Sequence, residues 1–295
     1  MNFLITGGTG FVGRNLVHAL HRKGHHTYIL TRSPEKFEQE SASTFIGYDY
    51  PVDQLPKIYG VINLAGESLF GYWTNQKKKK ILSSRIDTTN HVIKMIKEMK
   101  QKPDVFISGS AVGFYGMSDE RIFSEDTETP GDDFLADVVV KWEDAAKQAE
   151  ELGIRTVFTR FGVILGREGA LPLMSMPVKM FVGGKVGKGE QWMSWVHIED
   201  AVQILVFSAF NKKISGPINV TSPNPKRNKD FIKVLAKALK RPNWLPAPAP
   251  MFRMATGQMS QLITSGQYVL PKKAENHGYE FEYPNLEDAL KQIFG

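Results

Sequence analysis

The stretch Asn2-Phe3-Leu4-Ile5-Thr6-Gly7-Gly8-Thr9-Gly10-Phe11-Val12-Gly13 constrains this chain more than any other. Phe3 to Ile5 is an apolar run of the length expected for a parallel strand buried on both faces. It enters a glycine-rich turn, after which Phe11 to Leu20, with Leu16 and Val17, takes up helical periodicity, and Lys23-Gly24 supplies a basic last turn and a glycine stop. A strand, a turn and a helix start in that order direct backbone N–H groups and the positive end of a helix dipole at one place, which suits a pyrophosphate. Gly8-x-Gly10-x-x-Gly13 has the dinucleotide spacing. One glycine permits the tight turn, the next lets a ligand approach the backbone, and the last lets the helix lie close to the strand. The alternative is a turn that merely reverses the chain; the flanking strand and helix favour the nucleotide.

At 295 residues the chain has room for a large core, as one compound domain or two. Hydrophobic content of 42% and charged content of 23% are those of an ordinary globular enzyme, without repeats or long low-complexity tracts. The absence of cysteine rules out disulfides, thiolate zinc sites and cysteine nucleophiles, fits a reducing compartment, and no metal is expected. The chain starts directly in a strand and no apolar run reaches spanning length, so the expectation is a cytoplasmic protein without membrane contact. A net charge of +6 favours anionic ligands in a general way. Nucleic acid is not expected, because Lys77-Lys78-Lys79-Lys80 opens a long helical pattern with Ile81, Ile86, Val92 and Ile93 and reads as a solvated helix face.

Thr27 to Leu30 reads as the second strand, ending at Thr31-Arg32-Ser33-Pro34. An acidic residue at such a strand end grips a ribose 2′-hydroxyl, whereas a guanidinium pairs with a 2′-phosphate. Arg32, helped by the hydroxyls of Thr31 and Ser33, therefore favours NADP(H) over NAD; the plainer reading is a surface arginine. A short strand is expected at Thr44 to Ile46. Gly60-Val61-Ile62-Asn63-Leu64-Ala65-Gly66 repeats the strand-to-glycine pattern and should bring a second backbone loop beside the cofactor. In the helix from about Asn75 to Lys100, Arg85 is open to contacting a phosphate or to facing solvent.

Val105 to Gly116 follows as a buried strand ending in small hydroxyl residues. It presents Ser110 at the ligand edge, either to bond a reacting oxygen or to satisfy local backbone. Ser118 to Asp133 is acidic and turn-rich, a candidate substrate-side loop. Phe134 to Leu152 is helical, Arg155 to Phe161 a strand, and Gly162 to Gly166 its glycine-flanked continuation. The segment Gly183 to Trp195, with Trp192, Met193 and Trp195, suits either a substrate lid or aromatic packing. His197 is open to titration near neutrality, or to packing between Val196 and Ile198, where Ala201 to Phe210 continues as a helix. Ile218 to Val220 reads as a strand and Lys229 to Leu239 as a helix. Pro242, Pro246, Pro248 and Pro250 mark a rigid connection, followed by a helix over Met251 to Ile263, a strand near Val269 and a last helix over Leu286 to Ile293.

Taken together, Thr6 to Gly13, Arg32, Asn63 to Gly66, Ser108-Gly109-Ser110-Ala111 with Tyr115-Gly116, and Val196-His197-Ile198-Glu199-Asp200 resemble the extended short-chain dehydrogenases/reductases of the NAD-dependent epimerase/dehydratase type. More narrowly, Asn63 to Glu67, Ser84-Arg85, Gly131 to Leu135 and Trp195-Val196-His197 resemble the atypical subgroup named for nucleoside-diphosphate-sugar epimerases. That subgroup carries a small C-terminal domain of unknown function, which Leu245 to Gly295 resembles. The resemblance implies an α/β fold, a Rossmann-type doubly wound parallel sheet with a smaller C-terminal substrate-side region. Residues 1–220 would form the NADP(H)-binding domain, with 167–197 contributing to the substrate side, and 221–295 the smaller region. The implied cofactor set is Gly7, Gly8, Thr9, Gly10, Phe11, Val12, Gly13, Thr31, Arg32, Leu64, Ala65, Gly66, Arg85 and Val163, and a homodimer is compatible with the family.

The wider family uses Tyr-x-x-x-Lys on the helix after the serine strand, the lysine lowering the tyrosine's pKa for proton exchange with substrate. Phe134 to Glu143 holds no tyrosine, and Asp137 stands four residues before Lys141. Two functions follow as expectations. One is an NADP(H)-dependent oxidoreductase or epimerase-like enzyme acting on a small molecule, with Ser110 and Tyr115 as catalytic candidates and Asp133 or Lys141 as other proton donors. The other is an NADP(H)-binding redox-sensing module without turnover. The serine and the lid-like segment favour the first.

Overall fold

The computed structural model describes residues 1–39, 41–244 and 264–295. The expected proline connection beyond Leu245 and the helix over Met251 to Ile263 lie outside these residues.

A seven-stranded, wholly parallel sheet forms the centre. Its strands are β1 (Asn2–Thr6), β2 (His26–Leu30), β3 (Ser43–Ile46), β4 (Ile58–Asn63), β5 (Val105–Ala111), β7 (Arg155–Phe161) and β11 (Gly216–Val220), in the spatial order 11-7-5-4-1-2-3. Two-residue β6 (Ile122–Phe123) lies outside it, as do β8 (Val163–Leu165), β9 (Trp192–Met193), β10 (Trp195–His197), β12 (Lys226–Arg227) and β13 (Tyr268–Val269). The chain order reverses between β1 and β4. Crevices at such a reversal, beyond the carboxyl ends of the strands, are where open α/β sheets take ligands.

Continuous apolar runs make the central strands because both faces are covered. Phe3 and Ile5 pack into one core with α1 (Phe11–Arg22) and α5 (Ile198–Phe210). Leu4 enters the opposite core with α2 (Asn75–Glu98) and the end of α3 (Phe134–Lys147). Val105 and Ile107 against Phe106 repeat the alternation in β5. Burying each such side chain stabilises the fold by roughly 1.5–3 kcal/mol, which is why the run contains no polar residue. Capping side chains fix helix starts here: Thr74 accepts from Lys77 N–H at 3.1 Å, and Asp133 accepts from Leu135 and Ala136 N–H at 2.8 and 3.0 Å.

A third core joins α4 (Ala170–Lys179), α6 (Asn228–Ala238) and α8 (Leu286–Phe294) around Leu171, Trp195, Phe231 and Leu290. Nothing in the sequence pattern marks the helix at 170–179. The helix expected to run to Leu152 ends at Lys147, before a separate 3-10 turn at Glu150–Leu152, and α5 starts at Ile198, three residues ahead of the expected Ala201. Short α7 (Lys272–Asn276) was also missed.

The stretch Gly266–Leu270, which includes β13, is a strap across several carboxyl-end loops. Gly266 O accepts from Ser118 N–H at 2.9 Å, and Gln267 Nε2 donates to Val112 O at 2.9 Å. Ser194 Oγ donates to Gln267 O and accepts from Val269 N–H, and Asn219 Nδ2 donates to Leu270 O at 2.9 Å. β13 pairs with β6.

Candidate dinucleotide site and the adjoining strand ends

The turn after β1 has no room for a side chain at Gly7 or Gly13. Gly7 has φ +68°, and a Cβ there would lie 2.8 Å from Leu64 C and 2.9 Å from Ala65 N. At Gly13 a Cβ would lie 2.1 Å from Gly7 O and 2.6 Å from Gly8 Cα. The turn is closed by Gly10 N–H donating to Gly7 O at 2.9 Å. Gly10, the N-cap of α1, gives no side-chain cap, and the first turn carries no acid. The first amide N–H groups of α1 therefore meet no protein carboxylate, and a diphosphate fits this cradle in both charge and shape.

The sequence reading missed what holds the two loops together. Thr6 Oγ1 donates to Asn63 Oδ1 at 2.6 Å, and Asn63 Nδ2 donates to Thr89 Oγ1 at 2.8 Å, all buried. Ala65 N–H donates back to Thr6 Oγ1 at 3.2 Å. This brace registers the ends of β1 and β4 on either side of the crevice. Its signal in the sequence is a polar residue closing each apolar strand.

Arg32 is exposed just past β2, and the Thr31 hydroxyl accepts from Ser33 N–H at 3.5 Å. Positive charge gathers here: a hydrogen bond from Lys77 (2.7 Å), then the charges of Lys77, Lys80 and Arg32, hold the Glu67 carboxyl below its usual range. Lys77 is thus an ion-pair partner, and Lys78 lies over the Phe134 ring at 4.8 Å, so part of the lysine run is engaged rather than simply solvated.

Arg85 turns inward. Nη1 donates to Ile81 O at 2.8 Å and Glu67 O at 3.2 Å, the guanidinium lies 5.1 Å from the Trp142 ring centroid, and Gly66 packs on it. Desolvation pulls Arg85 down to about 10, leaving it cationic at neutral pH. It braces the loop after β4 from below. Phe11 packs its ring on Gly166 and Gly169, Val12 lies against the α1 core, and Val163 donates its N–H to Ser194 O at 2.8 Å.

Ser110, at the carboxyl end of β5, is 2% exposed and donates to Glu143 Oε1 at 2.6 Å. Arg160, its register partner on β7, grips the same carboxylate through Nε and Nη2, both at 2.8 Å. Tyr115 is buried on Phe123 and donates to Asn219 Oδ1 at 2.8 Å; burial pushes its hydroxyl up to about 12, so it is protonated at neutral pH. The residues of α3 facing Gly113, just beyond Ser110, are Leu135 and Val139, four apart and apolar. Asp133 is spent as the α3 cap, and Lys141 is exposed in an ion pair with Asp137 at 2.8 Å.

Of the two indoles weighed for a lid, Trp195 is fully buried in the third core. Trp192 is half-buried, its Nε1 donating to Asp119 O at 3.1 Å while Arg227 covers its ring. His197 is a packed residue. Its Nδ1 accepts from Glu199 N–H at 3.2 Å, its Nε2 meets Gln292 Oε1 at 3.0 Å, and desolvation holds it below the usual histidine value. No cluster of metal-ligating side chains and no helix long and apolar enough to cross a membrane occurs among the described residues.

A doubly wound sheet with a glycine-lined anion cradle at its switch point defines a dinucleotide-binding α/β protein. The chain belongs to the NAD-dependent epimerase/dehydratase family, whose model matches residues 3–221; a second model, a domain of unknown function (DUF1731), matches residues 247–293. It is 48% identical to the epimerase family protein YfhF of Bacillus subtilis over 99% of this chain and 98% of that one. Among solved structures, the human epimerase family protein SDR39U1, crystallised with NADPH, superposes with a TM-score of 0.90 at 31% identity, covering 99% of both chains. A nucleoside-diphosphate sugar epimerase from Corynebacterium glutamicum gives 0.81 at 33% identity, covering all of this chain and 58% of that one. The cofactor class of the family is a nicotinamide dinucleotide.

Proposed function

We propose that this protein is an NADP(H)-dependent oxidoreductase or epimerase-like enzyme acting on a carbonyl, hydroxyl or nucleotide-sugar substrate. The observation that carries this reading is the Gly7–Gly13 cradle with a cation, Arg32, and no acid at the end of the neighbouring strand. Gly7, Gly8, Thr9, Gly10, Phe11, Val12 and Gly13 would hold the diphosphate side, and Thr31 and Arg32 the 2′-phosphate. Leu64, Ala65 and Gly66 would line the other side of the crevice on their Arg85 brace, with Val163 further along the wall. Residues 167–197 together with 221–295 would form the substrate side. The NADPH bound to the human relative supports the choice of cofactor.

Bound nicotinamide supplies a hydride donor or acceptor. The chain's own contribution at the end of β5 is Ser110, which orients a substrate oxygen. Tyr115, with its proton engaged by Asn219, supports the same strand end from beneath. Titration of the pure protein with NADPH and NADH tests the cofactor assignment: NADPH should bind about tenfold or more tightly, and Arg32→Glu should abolish the preference. Equal affinities, or a preference for NADH, would overturn it.

The second reading, an NADP(H)-binding redox-sensing module without turnover, is favoured by one observation: apolar Leu135 and Val139 face the strand end where an acid/base pair would be useful. A panel of carbonyl compounds and nucleotide sugars separates the two. The enzyme reading expects NADPH oxidation with some member, and Ser110→Ala lowering kcat more than affinity. Saturable binding without turnover of any member supports the sensor.

A further inference from the structure

We propose that Glu143 and Arg160 fix the polarity of Ser110, so that the end of β5 reads a hydrogen-bond donor on the ligand, a hydroxyl rather than a carbonyl. This rests on the reading of the strand ends as the substrate side.

The Glu143–Arg160 pair is buried, with side chains 6% and 4% exposed, and doubly bonded. The guanidinium lies over Phe114, 3.4 Å from the ring centroid. A buried ion pair returns little net stability, because desolvating both charges offsets their attraction. What this one does is hold an ionised carboxylate in a fixed place, one hydrogen bond from Ser110. Burial alone would lower Arg160, but the bonds and charge of Glu143 raise it overall, so the guanidinium stays protonated.

A serine hydroxyl has one proton and two lone pairs. The Ser110 proton is committed at 2.6 Å, the length of a charge-assisted O–H···O⁻ bond. A ligand reaching Oγ therefore meets lone pairs. To donate to a carbonyl, Ser110 would have to abandon an ionised, buried acceptor, a loss that corresponds to roughly a ten- to hundredfold preference for a donor ligand. The neighbouring side chains do not reverse this. Leu135 and Val139 have no polar hydrogen, Tyr115 gives its proton to Asn219, and Asp133 caps α3. Ala111 and Val112, next along the chain, are only partly buried, so the surface begins one residue beyond Ser110. The ground-state ligand is then the alcohol member of an alcohol–carbonyl couple, the form that accompanies oxidised cofactor.

The test uses the full chain and matched probes: propan-2-ol and acetone, cyclohexanol and cyclohexanone. Binding is read by saturation-transfer NMR with and without NADP⁺. The alcohols should bind about tenfold or more tightly than their ketones, and Ser110→Ala, which leaves the ion pair intact, should erase the difference. In Glu143→Gln, Arg160 takes the amide oxygen and the amide N–H₂ donates to Ser110, freeing its proton, so the preference should move toward the ketones. Because that variant leaves a buried guanidinium without a counter-charge, Glu143→Gln/Arg160→Gln is measured beside it, and Ser110→Ala decides if neither folds. Ketones bound as well as alcohols, or no probe whose binding depends on Ser110, overturns the proposal. NADPH titration of the same samples separates the two failures: absent NADPH binding sinks the proposed function, whereas normal NADPH binding without an alcohol preference sinks this inference alone.

Discussion

Replacing Gly13 with alanine tests the cradle at its tightest point. The new Cβ would sit 2.1 Å from Gly7 O and 2.6 Å from Gly8 Cα, both backbone atoms of the turn itself. Ordinary contact lies near 3.5 Å, so α1 must retreat by more than about 1 Å or the turn must open. Neither atom belongs to a flexible side chain that can step aside. Alanine's better helix propensity offsets at most about 1 kcal/mol, against an overpacking cost of roughly 1–3 kcal/mol. The expected result is a destabilisation of about 1–2 kcal/mol in a urea melt, with NADPH affinity lowered a hundredfold or so, because the displaced amides no longer converge on a diphosphate. Gly24→Ala is the control. Gly24 has φ +75° and nothing within 4 Å of an added Cβ. It should cost about 1–2 kcal/mol of backbone strain and leave NADPH binding unchanged. A Gly13→Ala protein that binds NADPH within about threefold of the parent, about 0.65 kcal/mol, would refute the steric argument.

Other consequences can be checked alongside. Asp200, buried at the start of α5, accepts from Tyr279 Oη and from Glu282 and Tyr283 N–H, each at 2.9 Å; Asp200→Ala should destabilise by about 3 kcal/mol or more and speed amide exchange over residues 279–283. Gly266→Ala would place a Cβ 1.8 Å from Trp192 O, so the variant should melt earlier and be cut more readily by protease over 118–123. Desolvation lowers His197 from 6.5, and His25 and His91 shift the same way. Their neutral forms are favoured in the fold, so this stability is complete above about pH 6.5 and is lost as pH falls through the lowered folded values. His197→Asn, which can still cap α5, should flatten the acid limb of a plot of urea midpoint against pH; an unchanged slope would count against the assignment.

The sheet was legible where one residue type answers one environment. Phe3-Leu4-Ile5 shows no alternation because both faces are covered, and Gly7 to Gly13 is spaced by contacts within a single turn. The helix at 170–179 was hidden because it contains Pro172 and Pro177 and buries few side chains, chiefly Leu171 and Val178. Its place is set by packing against α6 and α8, far along the chain. The site's polar wiring was hidden for the same reason. Glu143 looks like a solvent-facing residue of α3, and nothing local says that Ser110, 33 positions earlier, and Arg160, 17 later, will converge on it. Arg85 illustrates the converse: its type suited a phosphate, whereas its helix register turns it under the loop after β4.

The strap at Gly266–Leu270 bears on how the protein can be divided. Cutting the chain before it would strip β6 of its strand partner, leave the Val112 and Leu270 carbonyl contacts unmade, and uncover Ser194 and Asn219. A fragment trimmed to the nucleotide-binding half would therefore keep its glycine turn but lose the scaffold behind the serine. The last thirty or so residues behave less like an appended module than like a buckle, and exchange of this tail between relatives should succeed only when the loops it fastens travel with it.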